Sequence, residues 1–109
     1  MAYDETLAHR VRELLIERPG YVEKKMFGGI CFLLHGNMAC GIVRDQLIAR
    51  VGPERYNEAL SRPHASLFDF TGRPMTGWIQ VAPPAWQDDR QLQEWVELGV
   101  SYALSLPAK

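Results

Sequence analysis

The chain is poor in the residues that most often carry chemistry. Its 109 residues include only two cysteines and three histidines. Cys31 and Cys40 are not a CxxC pair, and both sit in apolar, strand-like sequence. In a reducing compartment they read as buried thiols rather than a bridge. A zinc site there would need two further ligands, and His35 is the only nearby candidate. An excess of positive charge is missing too: 12 Lys+Arg against 13 Asp+Glu give a formal net charge of -1. Without a global positive field, direct nucleic-acid binding starts at a disadvantage. No apolar run approaches the ~20 residues of a membrane-spanning helix. The start, MAYDETLAHRV, carries acids where a secretion signal needs a basic beginning and an apolar core. A cytoplasmic protein with no cofactor, no metal and no membrane partner is therefore expected, and 12.4 kDa fits one domain over residues 1–109.

What the chain does have is a long apolar stretch, Lys24 to Val43, KKMFGGICFLLHGNMACGIV. Gly28-Gly29 and Gly36-Asn37 divide it into strand-length pieces, and an Arg44-Asp45 turn leads into QLIARV, which together predict a three-stranded antiparallel meander. Gly28-Gly29 suggests a bulge or bend, because it lacks the spacing of a phosphate loop and no helix follows it. With Gly36-Asn37 as a two-residue turn, Cys31 and Cys40 become diagonal neighbours on one face. A three-residue turn starting at His35 puts them on opposite faces. In the two-residue register, Cys31, Leu33, Met38, Cys40 and Ile42 line one face and Ile30, Phe32, Leu34, Ala39 and Val43 the other. One helical layer covers only one of these, so the other needs loops and long side chains, a partner or a second copy.

Helices flank this sheet. Leu7, Val11, Leu14 and Leu15 make one apolar stripe on a helix from Asp4 to Arg18, capped by Asp4 and ended by Pro19-Gly20. His9, Arg10, Arg12, Glu13 and Glu17 occupy its remaining faces, which read as solvated. A short helix runs GPERYNEAL with Tyr56, Ala59 and Leu60 inward, and His64 sits in the turn after it. Leu67–Phe70 and Trp78–Val81 predict a second hairpin, on which Asp69 could pair with Arg73, Lys24 or Lys25. The last helix spans about Asp88 to Leu104, with Leu92, Trp95, Val96, Gly99 and Ala103 on its apolar side; glycine in mid-helix suggests close approach to the sheet.

The succession MAYDETLAHRVRELL, VEKKMFGGICFLLHGNMACGIV, LIARVGPERYNEAL and RPHASLFDFTGRPMTGWIQV, followed by a Trp-bearing helix, resembles the TfoX N-terminal domain family, also called Sxy-like, over nearly the whole chain. The resemblance implies an α+β fold: a two-layer α/β sandwich, α-β-β-β-α-β-β-α, with an antiparallel sheet like that of secretion chaperones. It further implies a link to bacterial DNA-uptake competence through a cyclic-AMP-responsive transcription activator. The family's full-length regulators carry a second, C-terminal domain, so the expectation is an N-terminal domain standing alone.

Two functional expectations follow. The first is a non-enzymatic regulatory or protein-interaction module, with a transcription activator as candidate partner and homodimerisation as another use of the surface. Its residues are those matching the family motif, Lys24, Lys25, Met26, Phe27, Gly28 and Gly29, with Asp69 and Arg73 beside them. Strand pairing, bulge and turn geometry are their plain structural roles. The second is a small-ligand or anion-binding protein, or a minor enzyme, using Lys24, Lys25, His35, Asp69 and Arg73. That expectation requires those side chains to converge.

Overall fold

The computed structural model describes residues 3–26, 28–68 and 76–108. The first helix, α1 (Glu5–Leu15), begins where expected, because the Asp4 carboxylate accepts the Leu7 N–H at 3.0 Å. Four strands follow: β1 (Tyr21–Met26), β2 (Gly29–Leu34), β3 (Asn37–Val43) and β4 (Gln46–Arg50). The meander thus has one strand more than expected. The interruption at Gly28-Gly29 is a turn between two strands, not a bulge within one; Gly28 has φ +74°. A short helix, α2 (Tyr56–Leu60), then leads to β5 (Ala65–Leu67) and β6 (Trp78–Val81), and a 3-10 turn at Pro83–Ala85 precedes α3 (Asp89–Ser105). The second hairpin starts two residues before its expected beginning at Leu67. It pairs Ala65 with Val81 and Leu67 with Ile79.

The strands form one six-stranded antiparallel sheet in the order β1-β2-β3-β4-β6-β5. All three helices contribute their buried residues to one cluster on one face of this sheet. Leu7, Val11 and Leu15 from α1, Ala59 from α2 and Leu92, Val96 and Val100 from α3 meet Phe32, Leu34, Ile42, Leu47 and Ile79. Burial of this apolar area is the main source of the fold's stability.

The turn between β2 and β3 corrects the expected register. It is His35-Gly36, not Gly36-Asn37: Leu34 pairs with Asn37, and both turn residues have positive φ, 52° and 85°. Positive φ at both positions is the signature of a type I′ hairpin turn. A bulge follows, with the register shifting between Leu33↔Met38 and Phe32↔Cys40. The extra residue, Ala39, joins Cys40 in the helix-side cluster. Cys40 therefore lies beneath the helices, while Cys31 lies on the opposite face with Leu33, Met38, Ile48 and Phe68. Burial pushes the Cys31 thiol up to about 11 and raises that of Cys40 as well.

At its centre that second face is closed within the single chain. Cys31 and Ile48 are 2% and 1% exposed, with Phe68 and Trp78 packed over them, their rings 6.3 Å apart. Of the three coverings weighed from sequence, side chains of the same molecule bury these residues.

Candidate interaction surface

The lysine motif occupies an edge of the sheet. Among the described residues β1 pairs with β2 alone, from Tyr21↔Leu34 to Met26↔Gly29. Residues directly opposite share a face. Tyr21, Glu23 and Lys25 thus lie on the helix side with Leu34, Phe32 and Ile30; Val22 and Lys24 lie on the other face with Leu33 and Cys31. Lys24 and Lys25 are both exposed and point to opposite faces. Among the described residues, neither has an ion-pair partner.

The backbone direction of β1 can be read from its start. The Gly20 carbonyl accepts the His35 N–H at 3.0 Å, so Gly20 faces β2, and by alternation Val22, Lys24 and Met26 do as well. Tyr21 follows the opposite rule: its N–H bonds the Arg18 carbonyl at 3.3 Å. The N–H and C=O groups of Glu23 and Lys25 consequently point away from the sheet. Among the described residues, no backbone group pairs with them.

A polar network stiffens this edge. Arg12, from α1, grips the Glu23 carboxylate with Nε at 2.6 Å and Nη2 at 2.8 Å, and the Tyr21 hydroxyl donates to the same carboxylate. The Arg12 hydrogen bonds hold the Glu23 carboxyl below the usual carboxylate range, while burial and the bond to Glu23 push the Tyr21 phenol up. The charge of Glu23 is thereby compensated, leaving the two lysines as the charges of the strand without an ion-pair partner among the described residues. The α1 arginines are not simply solvated, as their helix positions suggested. Besides Arg12, Arg10 donates to the Gln87 carbonyl at 2.9 Å and to Asp89 at 2.8 Å, with its guanidinium 5.8 Å from the Trp86 ring centre. The sequence signal for Arg12 was Glu23 itself, a carboxylate on the Phe32 side of a strand, which needs a cation.

The remaining motif residues have structural work. A Cβ on Gly29 would lie 3.0 Å from the Ile42 carbonyl carbon and closer still to its oxygen. Only glycine lets β3 approach there. Met26 contributes the last backbone pair of β1. Phe27, Asp69 and Arg73 lie outside the described residues. His35 does not join the lysines. Lys24 is opposite Cys31, and His35 lies four residues beyond it (31 to 35), about 13 Å along the strand. Its ring packs instead on Gly20, where a Cβ would be 2.7 Å from Cε1. Lys24, Lys25 and His35 therefore build no common pocket.

Among the described residues, concave surface lies elsewhere. Clefts of about 450, 520 and 250 Å³ succeed one another between the segment 51–64 and α3, sharing Arg55 and Ser101 and then Arg62 and Glu94. Two of the charges that line them, Arg62 and Glu97, are matched within the chain. Arg62 holds Glu58 at 2.6 Å and lies 5.2 Å from the Trp95 ring centre, and Arg18 holds Glu97. His64, with φ 66°, lines the third cleft beside Trp95 and Pro84. Nothing in the sequence pattern marked this valley, because its walls come from residues separated by the whole second hairpin. Among the described residues, no helix is long and apolar enough to cross a membrane.

Residues 13–103 match the family model described as the TfoX N-terminal domain. No curated protein matches the chain, and no solved structure does.

Proposed function

Because the chain belongs to the TfoX N-terminal domain family, matched over residues 13–103, we propose that it is a regulatory domain without catalysis of its own, which acts by holding a partner protein along β1. One observation carries this reading: a strand of six residues whose outer backbone groups, at Glu23 and Lys25, have no partner among the described residues. An unpaired edge of this kind is a template for strand addition by another chain. The family's regulatory character suggests a transcription activator of the cyclic-AMP-responsive class as the partner. The second sheet edge offers less, since β5 has only three residues.

The test is titration of purified activator onto the protein and onto its Lys25→Pro variant, followed by calorimetry. Proline removes an outward N–H from an edge strand without disturbing the ladder to β2. Binding that is lost in the variant, with the Glu23 and Lys25 amides of the native protein protected from exchange in the complex, supports the reading. Unchanged binding to Lys25→Pro overturns the edge as the site, and no binding to either form overturns the activator as the partner.

A further inference from the structure

Resting on that reading, we infer that the strand received by β1 is acidic and antiparallel, with two adjacent carboxylates opposite Lys25 and Lys24 and an apolar residue opposite Val22. Three observations combine. Lys24 and Lys25 have no ion-pair partner among the described residues and present their charges one to each face. Glu23, between them and Val22, is already held by Arg12 and Tyr21 and asks only for a neutral neighbour. Val22 is 45% exposed, an apolar side chain standing free on the Lys24 face.

The order of the partner's residues follows from geometry. In an antiparallel pair the incoming chain runs past Lys25, Lys24, Glu23 and Val22 in turn, so its own sequence reads acid, acid, neutral, apolar. Side chains directly across a ladder lie ~5 Å apart, within reach of ion pairing. An antiparallel addition also continues the arrangement of all the existing neighbours.

A second copy of the chain fits this edge poorly. Outward backbone groups at Glu23 and Lys25 require residues of like parity to face each other in a two-fold β1 pair. Of the registers that overlap the two six-residue strands most, an axis at Glu23 sets the two Glu23 side chains opposite one another, and an axis at Lys24 does the same with the lysines. Like charges directly across a ladder are destabilising, and lysine on an edge is a common device against self-pairing.

The experiment uses fluorescence anisotropy with a labelled peptide, Thr-Glu-Glu-Thr-Val-Thr, and its versions with Gln-Gln or Lys-Lys in place of the two glutamates. The native protein should bind the acidic peptide about 3- to 10-fold more tightly than the Gln-Gln peptide, an advantage that shrinks with salt. The double variant Lys24→Glu, Lys25→Glu should reverse the order and prefer the Lys-Lys peptide. Lys25→Pro should bind none of them. Equal binding of all three peptides, lost in Lys25→Pro, overturns the acidic preference and leaves the edge reading standing. An acidic preference that survives in Lys25→Pro places the peptide elsewhere and overturns both. Should no peptide bind while the activator still does so in a Lys25-dependent way, the acidic strand is overturned alone. Slowed exchange of the Glu23 and Lys25 amides in the native complex reads strand addition without any variant, so a misfolded Lys25→Pro does not spare the inference.

Discussion

Gly99 of α3 lies directly against the backbone of Ala39 in β3. A Cβ on Gly99 would fall 2.9 Å from the Ala39 carbonyl carbon and closer still to its oxygen. The contact is backbone to backbone, so no side chain can rotate aside. Gly99→Ala should therefore force α3 away from the sheet and lower stability by about 2–3 kcal/mol, even after the ~1 kcal/mol that alanine gains in helix propensity. Urea unfolding checks this, with the exposed Gln93→Ala as control, expected within ~0.5 kcal/mol of the parent. Equal midpoints for the two variants would show that the helix has room to spare.

The Gly99 contact was legible in sequence because glycine weakens a helix interior, and close packing against a neighbouring backbone is what offsets that cost in a strongly periodic helix. The same holds for the Asp4 cap and for the inward residues of α3, where local chemistry and the 3.6-residue period agree. The register of β3 was not legible. Gly36-Asn37 and His35-Gly36 are both credible two-residue turns, and the choice depends on burying Asn37 and on the bulge at Ala39, which are tertiary facts. The extra strand was hidden in the same way, since YVEKKM alternates only partly in polarity. For the candidate surface, sequence supplied the lysines. It could not show that they stand on an edge, nor that Arg12 compensates the charge of Glu23 while Tyr21 donates to it.

That network makes stability depend on pH at the acid end. Glu23 has a folded-state pKa below its unfolded value. Its contribution is therefore fully present above the ordinary carboxylate pKa and is lost as pH falls through the folded value. Glu23→Gln should cost about 1–2 kcal/mol at pH 7, allowing for partial exposure of the pair, and should flatten the decline in stability below pH 5. Unfolding free energies measured from pH 3 to 7 on both proteins check it. A parallel pair of curves would mean that other carboxylates dominate acid sensitivity.

The thiols should be silent in the folded protein. Cys40 is fully buried, Cys31 is 2% exposed, and burial raises both pKa values, Cys31 to about 11. The reactive species is the thiolate, so at pH 8 a disulfide-exchange reagent should react with neither group until the chain opens. Two equivalents should then react in urea. Rapid labelling of one thiol in buffer would place Cys31 under a mobile cover rather than in a packed cluster.

Asn37 ties the end of the chain to the hairpin. It is 1% exposed, and its Nδ2 donates to the Pro107 carbonyl at 2.9 Å. Removing the donor in Asn37→Ala should cost ~1 kcal/mol and loosen the segment after α3, seen as faster trimming by carboxypeptidase. Asn37→Asp is the sharper change. A carboxylate in that position has no proton to offer and faces a carbonyl oxygen, so at pH 7 the variant should lose about 3 kcal/mol, as expected for an unpaired buried charge. Burial would raise the pKa of the new carboxyl, and its protonated form can again donate to Pro107. The loss should thus shrink as pH falls from 7 to 5, opposite in sign to the Glu23 effect, which sets in only below pH 5. Unfolding curves for the aspartate variant at both pH values decide it, and a loss that stays constant would place solvent at Asn37.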